Sequence, residues 1–110
     1  MPTTYKILGQ SAPANTSNTN LYTVPSSTSA VVSSLVVANT TGTAATFRVF
    51  VRIGGATAAA SNAVAYDLSV AANSHVAFTE GWSLATTDIV TVQTGTGNAL
   101  TFTLFGSEIA

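Results

Sequence analysis

Apolar and polar residues alternate with period two along much of this chain. In residues 46–53, Phe47, Val49, Val51 and Ile53 fall on one face, while Thr46, Arg48, Phe50 and Arg52 fall on the other. Tyr66, Leu68 and Val70 alternate with Asp67 and Ser69. Leu100, Phe102 and Leu104 alternate with Thr101 and Thr103. Successive side chains of a strand point to opposite faces, so this period predicts strands with one face in and one out. Val and Thr dominate these segments, and both favour the extended backbone.

Further strands are expected over residues 4–9, 20–24, 30–38, 74–79 and 88–94. Turn clusters separate them: VPSSTS, ANTTGTA, IGGAT, AANS and TGTGNA. In the stretch 33–51, Leu35 and Val37, or else Val36 and Ala38, face the core, and Asn39 and Gly42 turn the chain. No window carries an amphipathic helical stripe. Residues 56–65 are Ala-rich, but Ser61, Asn62 and the neighbouring Gly54 and Gly55 read as a loop or short turn. Seven or eight short strands with frequent turns predict an all-β fold, a single antiparallel β-sandwich. The spacing leaves jelly-roll and immunoglobulin-like topologies both open.

A chain of 110 residues makes one domain, 1–110. Residues 1–24 read as an N-terminal strand and arm. The segment GQSAPANTSNTN is polar throughout. It is expected either to reach a neighbouring subunit or to lie as a surface loop.

Charge changes the picture. Charged residues make up 6% of the chain and the net charge is −1, against about 25% charged residues in an ordinary domain. Lys6, Arg48 and Arg52 are the three cationic residues, too few for a nucleic-acid footprint. A near-neutral surface lacks the repulsion that keeps monomers apart, which suits a chain working inside an assembly. The sequence has no cysteine, so disulfides and thiolate metal sites are excluded. Its start, MPTTYKILGQ, has no signal-like apolar run, and no apolar run approaches the ~20 residues a membrane helix needs. No membrane partner is expected.

Candidate chemistry is sparse. His75 is the single histidine. A Ser-His-Asp arrangement needs more context than it offers, since no GxSxG elbow is present. The carboxylates are Asp67, Glu80, Asp88 and Glu108, with no spacing that pairs them across a cleft. Asp67 is expected opposite Arg48 or Arg52, and Asp88 reads as turn chemistry. Neither zinc nor calcium ligand sets occur. No glycine pair opens a helix to cradle phosphate. No catalytic residue, cofactor or metal is expected. Trp82 reads as a plug at the end of the sandwich or as an exposed sugar or interface anchor. Phe50, between Arg48 and Arg52, and Phe105, out of phase with Leu100, Phe102 and Leu104, read as outward aromatics on a buried second surface, either a subunit contact or a sheet covered by the N-terminal arm.

TYKILGQSAPA, LYTVP, SSLVVANTTGTAATFRVFVRIGGA and the ending FGSEIA together resemble small virion structural proteins of tailed bacteriophages, especially phages of aquatic bacteria. The resemblance covers most of the chain. It implies a β-sandwich that binds other virion proteins, most specifically a capsid decoration or cement protein. Such a protein docks on assembled major capsid subunits, as a trimer or a ring, with the trimer favoured. The implied location is the virion, assembled in the host cytoplasm. The alternative is a small tail, baseplate or fibre component that contacts a host glycan. A free carbohydrate-binding module or small hydrolase is the reading from another class.

Interface candidates come from the residues themselves. They are Tyr5, Lys6, Leu21 and Tyr22 in the N-terminal segment, then Arg48, Phe50 and Arg52, with Trp82 and Tyr22 for a glycan.

Overall fold

The computed structural model describes residues 2–110. Nine strands follow one another: β1 (Thr3–Ser11), β2 (Thr19–Thr23), β3 (Ser29–Asn39), β4 (Ala45–Arg52), β5 (Ala63–Val70), β6 (His75–Phe78), β7 (Trp82–Leu84), β8 (Ile89–Thr94) and β9 (Leu100–Ile109). Every pairing is antiparallel. One sheet runs β1-β9-β3-β6, with β7 also on β3, and the other runs β2-β8-β4-β5.

The pairings are nested. The first strand pairs with the last, the second with the last but one, and β4 with β5 at the centre. The chain is one long hairpin rolled into two layers, which is the jelly-roll arrangement. The expected antiparallel β-sandwich is therefore present, and the order of the strands selects between the two topologies left open.

The period-two pattern builds the core between the layers. Leu35 and Val37, Phe47 and Val49, Val90 and Val92, and Leu100, Phe102 and Leu104 point inward and are fully buried. Each such side chain contributes roughly 1.5–3 kcal/mol relative to exposure. Phe47 of one sheet meets Phe102 and Phe78 of the other edge to face, with centroids 5.9 and 6.1 Å apart. These contacts lock the two layers in register.

Three departures from simple alternation have local causes. The edge strand beside β3 is split. Gly81, with φ of 77°, turns the chain between β6 and β7, and both pieces still pair with β3. Nine strands thus replace the expected seven or eight. Ile53 leaves the core face because β4 ends at Arg52 and a 3-10 turn, Ile53–Gly55, follows. A bulge in β5 sets Tyr66 and Asp67 together opposite Arg48, with Asp67 at φ of 54°. The extra residue breaks the phase between Val70 and Tyr66, so Val70 is buried while Tyr66 is exposed; Leu68, in phase with Val70, is exposed on this edge strand.

Two polar side chains tie the loops down. Asn39 is buried at the end of β3. Its amide donates to the carbonyls of Thr43 and Val70, and its oxygen accepts from the Thr41 backbone and hydroxyl. The Asp88 carboxylate accepts from the Ala85 and Gly54 amides at 2.9 and 2.8 Å. It fixes its own turn and also the distant β4–β5 connection.

Residues 12–18 cross from one sheet to the other as a surface loop. The loop is held by Asn98 N–H on the Pro13 carbonyl and by Gln93 Nε2 on the Thr16 carbonyl.

Candidate interaction face

The two layers present very different outer surfaces. Outside the β2-β8-β4-β5 sheet, Arg52 gathers the connection between β4 and β5. Its Nε donates to the Ala56 carbonyl at 2.6 Å and its Nη2 to the Gly55 carbonyl at 3.0 Å. Its Nη1 reaches Asn20 Oδ1 and Thr91 Oγ1 at 3.1 and 3.2 Å. A second 3-10 turn, Ala60–Asn62, completes this connection.

Phe50 lies beside the connection, edge-on to Tyr66 with centroids 6.5 Å apart, and is only 4% exposed. The outward phase read for Phe50 holds, but its ring is not free. The chain's own β4–β5 connection and Tyr66 cover it.

Arg48 is engaged as well. Its Nε and Nη2 contact Oδ1 and Oδ2 of Asp67 at 2.7 and 3.2 Å, and its guanidinium lies 4.0 Å from the centre of the Tyr66 ring. The β5 bulge brings both partners to one arginine. The hydrogen bond from Arg48 holds the Asp67 carboxyl below its ordinary range, and Asp67 holds the guanidinium pKa up.

The outer face of β1, β9 and β3 is bare. Cross-strand register arranges it in rows. Tyr5 stands beside Ser107, Ser107 beside Val31, and Val31 beside Ser83. In the next row Ile7 stands beside Phe105 and Phe105 beside Ser34. Tyr5 is 84% exposed, Ile7 54% and Val31 39%. Together with Ser33, Phe105 and Ser107 they line a shallow apolar groove of about 610 Å³. Below it lie Gln10, Thr103, Val36 and Ala77 in register, then Thr101, Ala38 and His75. None of these rows contains Lys, Arg, Asp or Glu.

Lys6 also lines the groove, at its border. Its Nζ lies 3.3 Å from Glu108 Oε1. Glu108 also accepts the Tyr22 hydroxyl at 2.6 Å. Burial pushes the Tyr22 phenol well above its ordinary pKa, and the Glu108 charge adds to this. The Tyr22 hydrogen bond, with Lys6 behind it, holds the Glu108 carboxyl below the usual carboxylate range despite partial burial.

The interface candidates therefore separate. Tyr5 is on the open face, and Lys6 is at its border. Leu21 and Tyr22 are corrected to interior positions. A bulge in β2 sets both opposite Val90, so both turn inward and are buried. Arg48, Phe50 and Arg52 are engaged on the opposite sheet. Trp82 is half-buried on β7 and packs against Phe78, with centroids 6.1 Å apart.

Ile7 and Val31 escaped the sequence reading. A signal for them existed in adjacent apolar pairs. Ile7-Leu8, Val31-Val32 and Leu104-Phe105 each place one side chain in the core and its neighbour outside. Bulges next to these pairs, at Leu8 and Ser33, strengthen the effect.

No family model matches the chain, and no curated protein matches it. Among solved structures, a chain in the structure of infectious bursal disease virus Gx strain is similar at 13% identity with a TM-score of 0.45. The likeness covers 97% of this chain and 31% of that one, so the present chain spans under a third of its length.

Proposed function

We propose that this protein is a non-enzymatic structural component of a virion, most specifically a capsid decoration or cement protein. The observation that carries this reading is the asymmetry of the two outer faces. One is closed by the chain's own connection and ion pair. The other is a flat, uncharged sheet with Tyr5, Ile7, Val31 and Phe105 on it. Contiguous apolar surface of this kind marks a place where another protein sits. The short motifs that resemble tailed-phage virion proteins support the same reading. The jelly roll is compatible with it, as a fold-level analogy that serves lectins and cupins equally well.

Docking would proceed by shape and by burial of apolar surface on other virion proteins, with the major capsid protein as the proposed partner. Each contact is shallow. Repetition by particle symmetry then supplies avidity that one contact lacks. The low charge density removes long-range repulsion between crowded copies.

The proposed role is non-catalytic. No three His, Cys, Asp or Glu side chains cluster among the described residues. His75 stands exposed on the β6 edge strand. A glycan-binding tail or fibre component is the weaker reading, because Tyr22 is buried and Trp82 packs on the core.

Quantitative mass spectrometry of gradient-purified particles from the virus that encodes the chain tests the proposal. The chain is expected at many copies per particle, and antibody labelling is expected on heads. Its absence from washed particles overturns the virion reading. Labelling confined to tails replaces decoration with the tail alternative.

A further inference from the structure

We infer that the bare outer face of β1, β9 and β3 is a self-contact, on which a second copy of this chain packs face to face about a two-fold axis. The inference rests on the assembly reading above and assigns the open face to a second copy, so that docking on a capsid subunit uses another surface.

Charge selects the partner. The face has no Lys, Arg, Asp or Glu in its rows, and the single ammonium at its border is already engaged by Glu108. A partner recognised by charge complementarity has nothing to read there. A face meeting itself across a two-fold axis sets residue i against j and j against i, so a face carrying net charge would oppose its own copy. This face is free of that penalty, and the chain's net charge of −1 adds almost no repulsion between copies.

Shape agrees. Along the first row, large and small residues alternate as Tyr5, Ser107, Val31 and Ser83. Two such rows can mesh, with Tyr5 and Val31 of one copy over the serines of the other. Stacked sheets pack about 10 Å apart with interdigitated side chains of this kind.

Area sets the strength. Strands of 9 to 11 residues span about 30 Å, and these three with the split β6/β7 edge beside them cover about 15–19 Å, which gives at most roughly 500 Å² per copy. The total of roughly 1,000 Å² lies at the lower limit for a specific contact. The self-contact is therefore weak in dilute solution and effective when copies are held close. A contact of this symmetry makes a dimer, not the trimer that the resemblance implies; a trimer needs another surface.

The chain has no cysteine, so a single introduced thiol reports cleanly. In the full chain, Ser107→Cys is expected to give a covalent dimer with a bismaleimide linker that spans about 10 Å, and Ser69→Cys on the opposite sheet is expected to stay monomeric. Sedimentation across a concentration series is expected to show reversible dimers. Tyr5→Glu should weaken them tenfold or more, and Val64→Glu on β5 should leave them unchanged. Circular dichroism and melting confirm that both variants fold.

A monomer throughout the series with no cross-link at Ser107 overturns the inference. So does a dimer or trimer that ignores Tyr5→Glu. If the chain is nevertheless abundant in purified particles, the self-contact fails while the virion reading stands. If self-association follows Tyr5 but particles lack the chain, the virion reading fails instead.

Discussion

The Tyr22 hydroxyl donates a 2.6 Å hydrogen bond to Oε2 of Glu108, joining β2 of one sheet to the end of β9 in the other. Lys6 meets the other carboxylate oxygen at 3.3 Å. Three residues from both ends of the chain thus close one end of the sandwich.

This closure sets two pH limits. Glu108 is held below its unfolded pKa, so its contribution is present above about pH 4.3 and is lost as pH falls through the folded value. Tyr22 is held above its unfolded value, so its contribution is present below about pH 10 and is lost as pH rises toward the folded one. Tyr22→Phe is expected to cost about 1–2 kcal/mol at neutral pH and to flatten both limbs. Urea titrations from pH 3 to 11 check this. A variant that keeps the wild-type pH profile contradicts it.

Phe47 and Phe50 are neighbours in phase-opposed positions, and both are buried. Phe47→Ala removes a ring shared by both sheets and should cost about 3–5 kcal/mol. Phe50→Ala opens only the pocket under the β4–β5 connection, which can collapse, and should cost about 2–3 kcal/mol. Neither is expected to change the solution mass of the folded protein. A change in mass for Phe50→Ala would restore that residue to an intersubunit contact.

Gly9 occupies a bulge in β1 where a Cβ would overlap the Leu21 carbonyl. Gly9→Ala must push β1 from β2 and is expected to cost about 2–3 kcal/mol. Gly42 has open space around it, so Gly42→Ala should stay within about 0.5 kcal/mol of wild type. Thermal melts of the two variants test the contrast, and equal melting temperatures refute it.

Arg52 organises the connection that covers Phe50. Arg52→Ala should raise amide exchange at Ala56 and Asn62, whose turns close on Ile53 and Ala59, by tenfold or more. Amides in β8 should be unaffected. Unchanged exchange at Ala56 would mean that Asp88 alone holds the connection.

The fold class was legible because burying one face of a strand forces period two, and Phe47, Val49, Leu100, Phe102 and Leu104 write that period without interruption. Asp67 was legible as a cross-strand partner of Arg48 or Arg52, and the structure pairs it with Arg48. The bulges were not. Those at Leu8, Leu21, Ser33 and Asp67 each add one residue, and one residue reverses which side chains face inward. Leu21 and Tyr22 were therefore read as surface when they are core, and Ile7 and Val31 went unread though they form the open face.

By itself, then, the sequence determined a sparsely charged all-β domain with alternating strands, because side-chain periodicity and charge are local properties. Only the tertiary structure decided the jelly-roll order, the ring that covers Phe50 and the face left bare. Those depend on which strands become neighbours and where a bulge shifts the register, and both are settled by packing between residues far apart in the chain.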